Sequence, residues 1–160
     1  MNAHMVFDVV PLGTIISYTD GRSRPPKRQA GELATWMAGN NIGRLSRKQA
    51  ARWDGNRFHP ADITIHWCEY SNGLVTMRPF TVSFAVDDPH EFKLIERPKV
   101  GSILVLARSD DNTELAHVAD TRNDAAQWLE RHPIHYRQVI LHEVSADDVA
   151  ADIVEGRVEK

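Results

Sequence analysis

Asp62-Ile63-Thr64-Ile65-His66-Trp67-Cys68-Glu69-Tyr70-Ser71-Asn72-Gly73 is the stretch on which the fold turns. Ile63, Ile65 and Trp67 alternate with Thr64, His66 and Cys68, a period of two that commits one face of a strand to a core. Tyr70-Ser71-Asn72-Gly73 then supplies turn residues, so a hairpin partner is expected to follow. Phe80, Val82, Phe84 and Val86 meet that expectation by alternating with Thr81, Ser83 and Ala85 after a break at Pro79. That strand should commit one face to the core.

Outward from this hairpin, β signals continue on both sides. Downstream, Glu91 to Glu96 alternates, and Ile103-Leu104-Val105-Leu106 is an uninterrupted apolar run that fits a central strand covered on both faces. Ser109-Asp110-Asp111-Asn112 is a polar turn, and Glu114 to Ala119 is the expected partner. Ile134 to Val144 gives a last strand. Upstream, Met5 to Val10 and Thr14 to Thr19 read as paired strands across Pro11-Leu12-Gly13, and Ile42 to Lys48 as a short one.

Helices are few. One is expected from Pro26 to Ala38, burying Ala30, Leu33, Trp36 and Met37 at helical spacing and leaving through Gly39-Asn40-Asn41. Thr121 caps a second, whose buried face is Ala125, Trp128 and Leu129 and which Pro133 stops. A third starts after Ser145 with Asp147 and Asp148 in its first turn and docks through Val149, Ile153 and Val154. Three short helices and seven or eight strands joined by tight turns predict an α+β fold with a largely antiparallel, twisted sheet. Residues 1–160 are expected to form a single globular domain, with a mobile basic loop at 49–60.

Composition sets the bounds on function. A chain of 160 residues with 42% apolar and 26% charged residues has the profile of an ordinary globular domain. It needs neither disulfide nor metal to build a core, and no cofactor is implied. The single cysteine, Cys68, fits a reducing compartment, so a cytoplasmic location is expected. No run approaches the ~18 apolar residues of a membrane span, and Met1 to Met5 lacks a signal-peptide pattern, so no membrane partner is expected.

The net charge of −3 averages two unlike regions. Gly21 to Pro60 holds nine basic residues (Arg22, Arg24, Lys27, Arg28, Arg44, Arg47, Lys48, Arg52, Arg57) against Glu32 and Asp54, a balance of +7 that leaves −10 for the remainder. Arginine and lysine neutralise phosphates, and Trp53 and Phe58 among them offer surfaces on which unpaired bases stack. The expected function is therefore that of a non-catalytic binding or accessory module. Its basic segment, with Trp53 and Phe58, contacts nucleic acid or an acidic protein surface. Against the nucleic-acid form stand a pI near 6.2 and the lack of a recognised nucleic-acid-binding motif. Trp53 itself is read as stapling its loop to the body in preference to serving as an exposed anchor.

Two other classes compete. A small enzyme would draw on His66, Cys68, His117 and His142: His66 and Cys68 are two apart on a strand and face one side. Triads are recognised by geometry, however, and a thiol in an apolar strand is inert. The same two residues form the one pair with metal-ligand spacing, and a core thiol beside a hydrogen-bonded histidine explains them without a metal site. Asp87-Asp88, Asp110-Asp111 and Asp147-Asp148 are adjacent pairs that turn formation and helix capping explain. There is no phosphate-binding glycine loop. The third class is a homodimer or interaction protein acting through an exposed sheet edge.

Overall fold

The computed structural model describes residues 1–110, 112–135 and 137–154. Its centre is β2 (Asn41–Gln49), which pairs along both edges. One edge meets β5 (Asp62–Ser71), the alternating stretch quoted above. The other edge is shared: β1 (Ile15–Thr19) pairs with its first half through Ile16↔Gly43, and β9 (Asn112–Ala119) meets it at Arg47↔Glu114. A register shift between Leu45 and Arg47 marks the fork, and at such a bulge a strand bends and twists more strongly.

From this junction β7 (Glu91–Glu96) extends the sheet past β1, β6 (Leu74–Ala85) past β5, and β8 (Ile103–Ser109) and β10 (Gln138–Glu143) past β9. The result is an eight-stranded sheet, antiparallel at every pairing among the described residues, within an α+β fold.

Close contact between β2 and β5 requires Gly43. A Cβ there would lie 2.4 Å from the His66 carbonyl oxygen and 2.5 Å from Ile65 Cγ2. The inner face joins Ile16, Leu45, Ile63, Ile65 and Phe92 in one cluster, each almost fully buried. Such burial contributes about 1.5–3 kcal/mol per side chain. As the uninterrupted run predicts, β8 is covered on both faces: Ile103 and Val105 pack with Trp128 on one, Leu104 packs with Val144 on the other.

Several elements differ from expectation. The first is a helix, α1 (Ala3–Val9), where a strand is predicted from Met5 to Val10, making four helices where three are expected. Asn2 Oδ1 accepts from the Met5 N–H at 2.9 Å, and Ala3, Val6 and Val9 recur every third residue against the core. The helix predicted from Pro26 begins later, as α2 (Ala30–Gly39), after a turn in which the Gln29 N–H bonds to the Pro26 carbonyl. It has no buried residue, and Met37 is exposed.

Residues 49–60 hold a two-stranded hairpin, β3 (Arg52–Asp54) and β4 (Arg57–His59), where an irregular loop is predicted. β6 does not break at Pro79. Arg78, Pro79 and Phe80 bulge opposite Trp67, so the missing proline N–H costs no ladder bond, and Phe80 is exposed despite its place in the alternation. α3 (Arg122–Arg131) is capped by Thr121 as expected, and α4 (Ala146–Val154) follows Ser145. Asp111 of the predicted polar turn, Tyr136 of the predicted last strand, and the docking of Ile153 and Val154 lie outside what is described.

Candidate functional site

The β3–β4 hairpin turns through Gly55-Asn56, with Gly55 at φ +60° and no positive φ at Asn56, the pattern of a type II′ turn. Its register places Trp53 opposite Phe58, and the rings meet with centroids 5.2 Å apart. Trp53 is 69% exposed and Phe58 51%, so the two aromatics pack on each other while the faces they present remain in water. This corrects the expectation that Trp53 staples the segment to the body. Alternation along the two strands puts Arg52 and Arg57 on the other side of the same ribbon. Asp62, the first residue of β5, fixes its base: Arg52 and Arg47 approach its two carboxylate oxygens at 3.6 and 3.7 Å.

Arg47 leads to a polar crevice on the outer face of β2 and β5. Arg47, Ser46, Thr64, His66, Ser83 and Glu114 line about 260 Å³ of it, and a narrower extension runs to Arg44 and His117. The hydroxyls bond locally: Thr64 with Ser83 at 2.8 Å, and Ser46 to the Thr64 carbonyl at 3.2 Å. The Nε atoms of Arg44 and Arg47 are buried and have no hydrogen-bond partner among the described residues. Burial holds the proton affinity of the Arg44 guanidinium below its ordinary value.

His117 stacks on Trp128 with ring planes 2° apart, and Trp128 stacks on His132 in turn. Burial first, then the positive groups Arg44, His132 and Arg131, hold the His117 pKa below 6.5.

Of the four residues considered for an enzyme, His66 and His117 therefore share a crevice with Arg44. Cys68 is buried, and burial pushes its thiol up although Arg44 pulls the other way. The His66 ring donates from Nε2 to the Arg78 carbonyl. His142 is elsewhere, with Nε2 bonded to Asp148 Oδ2 at 2.7 Å. No group of three His, Cys, Asp or Glu able to hold a metal ion occurs among the described residues.

The remaining basic residues fall into two further groups. Arg22, Arg24, Lys27 and Arg28 are exposed around α2, where Arg24 lies over the Trp36 ring at 5.6 Å and the Trp36 indole N–H donates to the Arg22 carbonyl. In the chain, the nine-residue β2 lies between this group and the hairpin. Lys48 is the exception to the outer face: it lines a cavity on the opposite side of the sheet with Asp8, Leu104 and His142.

Sequence reasoning identifies Trp53, Phe58 and the arginines but misses Asp62, the carboxylate that ties hairpin to sheet; a lone acid just ahead of the alternating stretch was the available signal. No helix among the described residues is long and apolar enough to cross a membrane. The chain belongs to the family described as uncharacterised conserved protein UCP036055, whose model matches residues 1–148. No curated protein and no solved structure matches it.

Proposed function

We propose that this family member is a non-catalytic binding module that grips a polyanion through the β3–β4 hairpin, with single-stranded nucleic acid as the preferred form. The observation that carries the proposal is the exposed Trp53–Phe58 pair on a ribbon whose other side bears Arg52 and Arg57. An aromatic face in water stacks with unpaired bases of any sequence, and arginine supplies the phosphate attraction. Arg22, Arg24, Lys27 and Arg28, exposed around α2, offer a second basic group for a longer strand. A cytoplasmic setting belongs to the same proposal, supported by the unpaired, buried Cys68.

The test is fluorescence anisotropy of end-labelled single- and double-stranded oligonucleotides, and of a labelled polyglutamate, across a salt series. Each phosphate contact to a single strand contributes about −0.7 to the slope of log K against log salt; with Arg52 already paired to Asp62, a contact from Arg57 sets a floor of about −0.7. Single-strand binding with at least that slope supports the proposal. Binding confined to polyglutamate would make the partner an acidic protein surface, and no binding to any probe would overturn the module altogether.

A second reading, a small enzyme, has one observation in its favour: His66 and His117 converge with Arg44 on one crevice. Against it, burial pushes the Cys68 thiol up and away from the reactive thiolate.

A further inference from the structure

The cavity around Lys48 lies across the sheet from the crevice. Its volume is about 460 Å³, within the range of small-molecule sites, and it is an open cleft lined by residues of α1, β2, β8, β10 and the start of α4. Val9, Leu12, Leu104, Leu106 and Val144 make it largely apolar.

The charged groups facing Lys48 come from three elements: Asp8 on α1, His142 on β10, and Asp147 and Asp148 on α4. Asp8 pairs with His4 at 3.0 Å, and Asp148 is held by His142 at 2.7 Å and by the Ser145 N–H at 2.8 Å. Lys48 makes no ion pair of its own among the described residues. Burial pushes its amine down to about 8, against an opposing attraction from Asp8. An amine of pKa about 8 is partly neutral near physiological pH, and in an apolar cavity beside a hydrogen-bonded histidine that neutral fraction is chemically a nucleophile toward carbonyl carbon.

We propose that this cavity binds small apolar aldehydes or ketones and holds them as a reversible imine on Lys48. The neutral Nζ adds to the carbonyl carbon: a C–N bond forms, the C=O π pair moves to oxygen, the nitrogen gives up one proton, and the oxygen takes one up, leaving a neutral carbinolamine. Loss of water from the carbinolamine then leaves the C=N bond, and hydrolysis reverses every step without an oxidant or reductant. His142, lining the same cavity with its ring fixed by Asp148, carries the proton to the departing hydroxyl. The site faces away from the hairpin, so it stands or falls independently of polyanion binding.

The test uses the full chain, 3-methylbutanal as the probe, and cyanoborohydride at pH 7.5 to trap imines, with peptide mapping of Lys48 and of Lys27, Lys93, Lys99 and Lys160 as internal competitors. A lysine of pKa about 8 is about one quarter neutral at that pH, against about one in a thousand for an ordinary lysine. Labelling of Lys48 is therefore expected at least about tenfold faster than at the other four. It should saturate with aldehyde concentration while theirs stays linear, and the saturable component should vanish in Lys48→Arg. Labelling of Lys48 no faster than its competitors, or linear in aldehyde with no sign of prior binding, would overturn the proposal; both readouts come from the unmodified chain and need no variant to fold.

Discussion

Lys48 and Arg52 stand four residues apart and meet opposite fates. Lys48, near the end of β2, lines a cavity with Leu104, Leu106 and Val144, where burial works against its charge. Arg52, one turn of chain later, lies on a hairpin whose charges and aromatics face water. The comparison teaches that a basic run in sequence is not a basic patch in space. Lys48 sits on β2 and lines a cavity on one side of the main sheet, Arg52 sits on a separate two-stranded ribbon, and the surroundings of each decide whether a positive charge is available to a polyanion or is suppressed.

The largest expected effect removes the scaffold common to both surroundings. In Gly43→Ala, the new Cβ meets the His66 backbone and Ile65 at distances no packing tolerates, so β2 and β5 must separate. A loss of at least about 3 kcal/mol in urea unfolding is expected; a cost below about 1 kcal/mol would mean that β2 is less tightly clamped than its contacts imply.

Trp53→Ala separates the two regions. Oligonucleotide affinity should fall about tenfold, the loss of one stacked base, while the urea midpoint moves by less than about 0.5 kcal/mol in free energy. An equal loss of stability would return Trp53 to the role of staple.

Lys48→Met probes the other region and has the opposite sign. The folded-state pKa lies near 8, below the ordinary 10.5, so the folded protein is penalised wherever the amine must be charged. That penalty is full below pH 8 and fades as the pH rises toward 10.5, because only the unfolded state then holds the proton. Methionine keeps the stem and removes the charge, so a gain of about 1 kcal/mol is expected at pH 7, shrinking by pH 10. Denaturation curves at the two pH values measure it.

The smallest effect belongs to His117. Its folded pKa is depressed below 6.5, so the unfolded state binds the proton more readily and stability is lost as the pH falls through 6.5. His117→Gln should flatten the acid side of the stability profile, measured by urea unfolding on either side of pH 6.5, and by less than Lys48→Met changes stability at pH 7.

The sheet was legible because alternation at Ile63, Ile65 and Trp67 and the apolar run at Ile103 to Leu106 are physical requirements of strands with one and two covered faces. The start of the chain was misleading for a related reason. Met5 to Val10 is rich in β-formers, yet Ala3, Val6 and Val9 share a helical face and Asn2 caps it, so spacing outweighed composition. In the hairpin, Gly55-Asn56 between Trp53 and Phe58 was a turn signal obscured by the surrounding polar residues.

The candidate site was legible in its residue types and not in its grouping. Counting charges from Gly21 to Pro60 could not tell Arg47, which faces a crevice, from Lys48, which faces a cavity, because a bulge in β2 resets parity between Leu45 and Arg47. Nor could it reveal the approach of His66 and His117 to Arg44, which depends on β2, β5 and β9 meeting at one fork.

The four tryptophans allow the central claim to be read in a single spectrum. Trp36 donates to the Arg22 carbonyl, Trp67 to the Tyr18 hydroxyl, Trp128 is stacked between two histidines, and Trp53 is exposed on the hairpin. Their indole N–H signals can be followed by 1H–15N correlation while a single-stranded oligonucleotide is added, with Trp53→Phe assigning the hairpin signal. The expected result is a salt-sensitive shift of the Trp53 indole signal, with those of Trp67 and Trp128 stationary. A stationary Trp53 signal under conditions where the oligonucleotide binds would contradict the hairpin as the contact element.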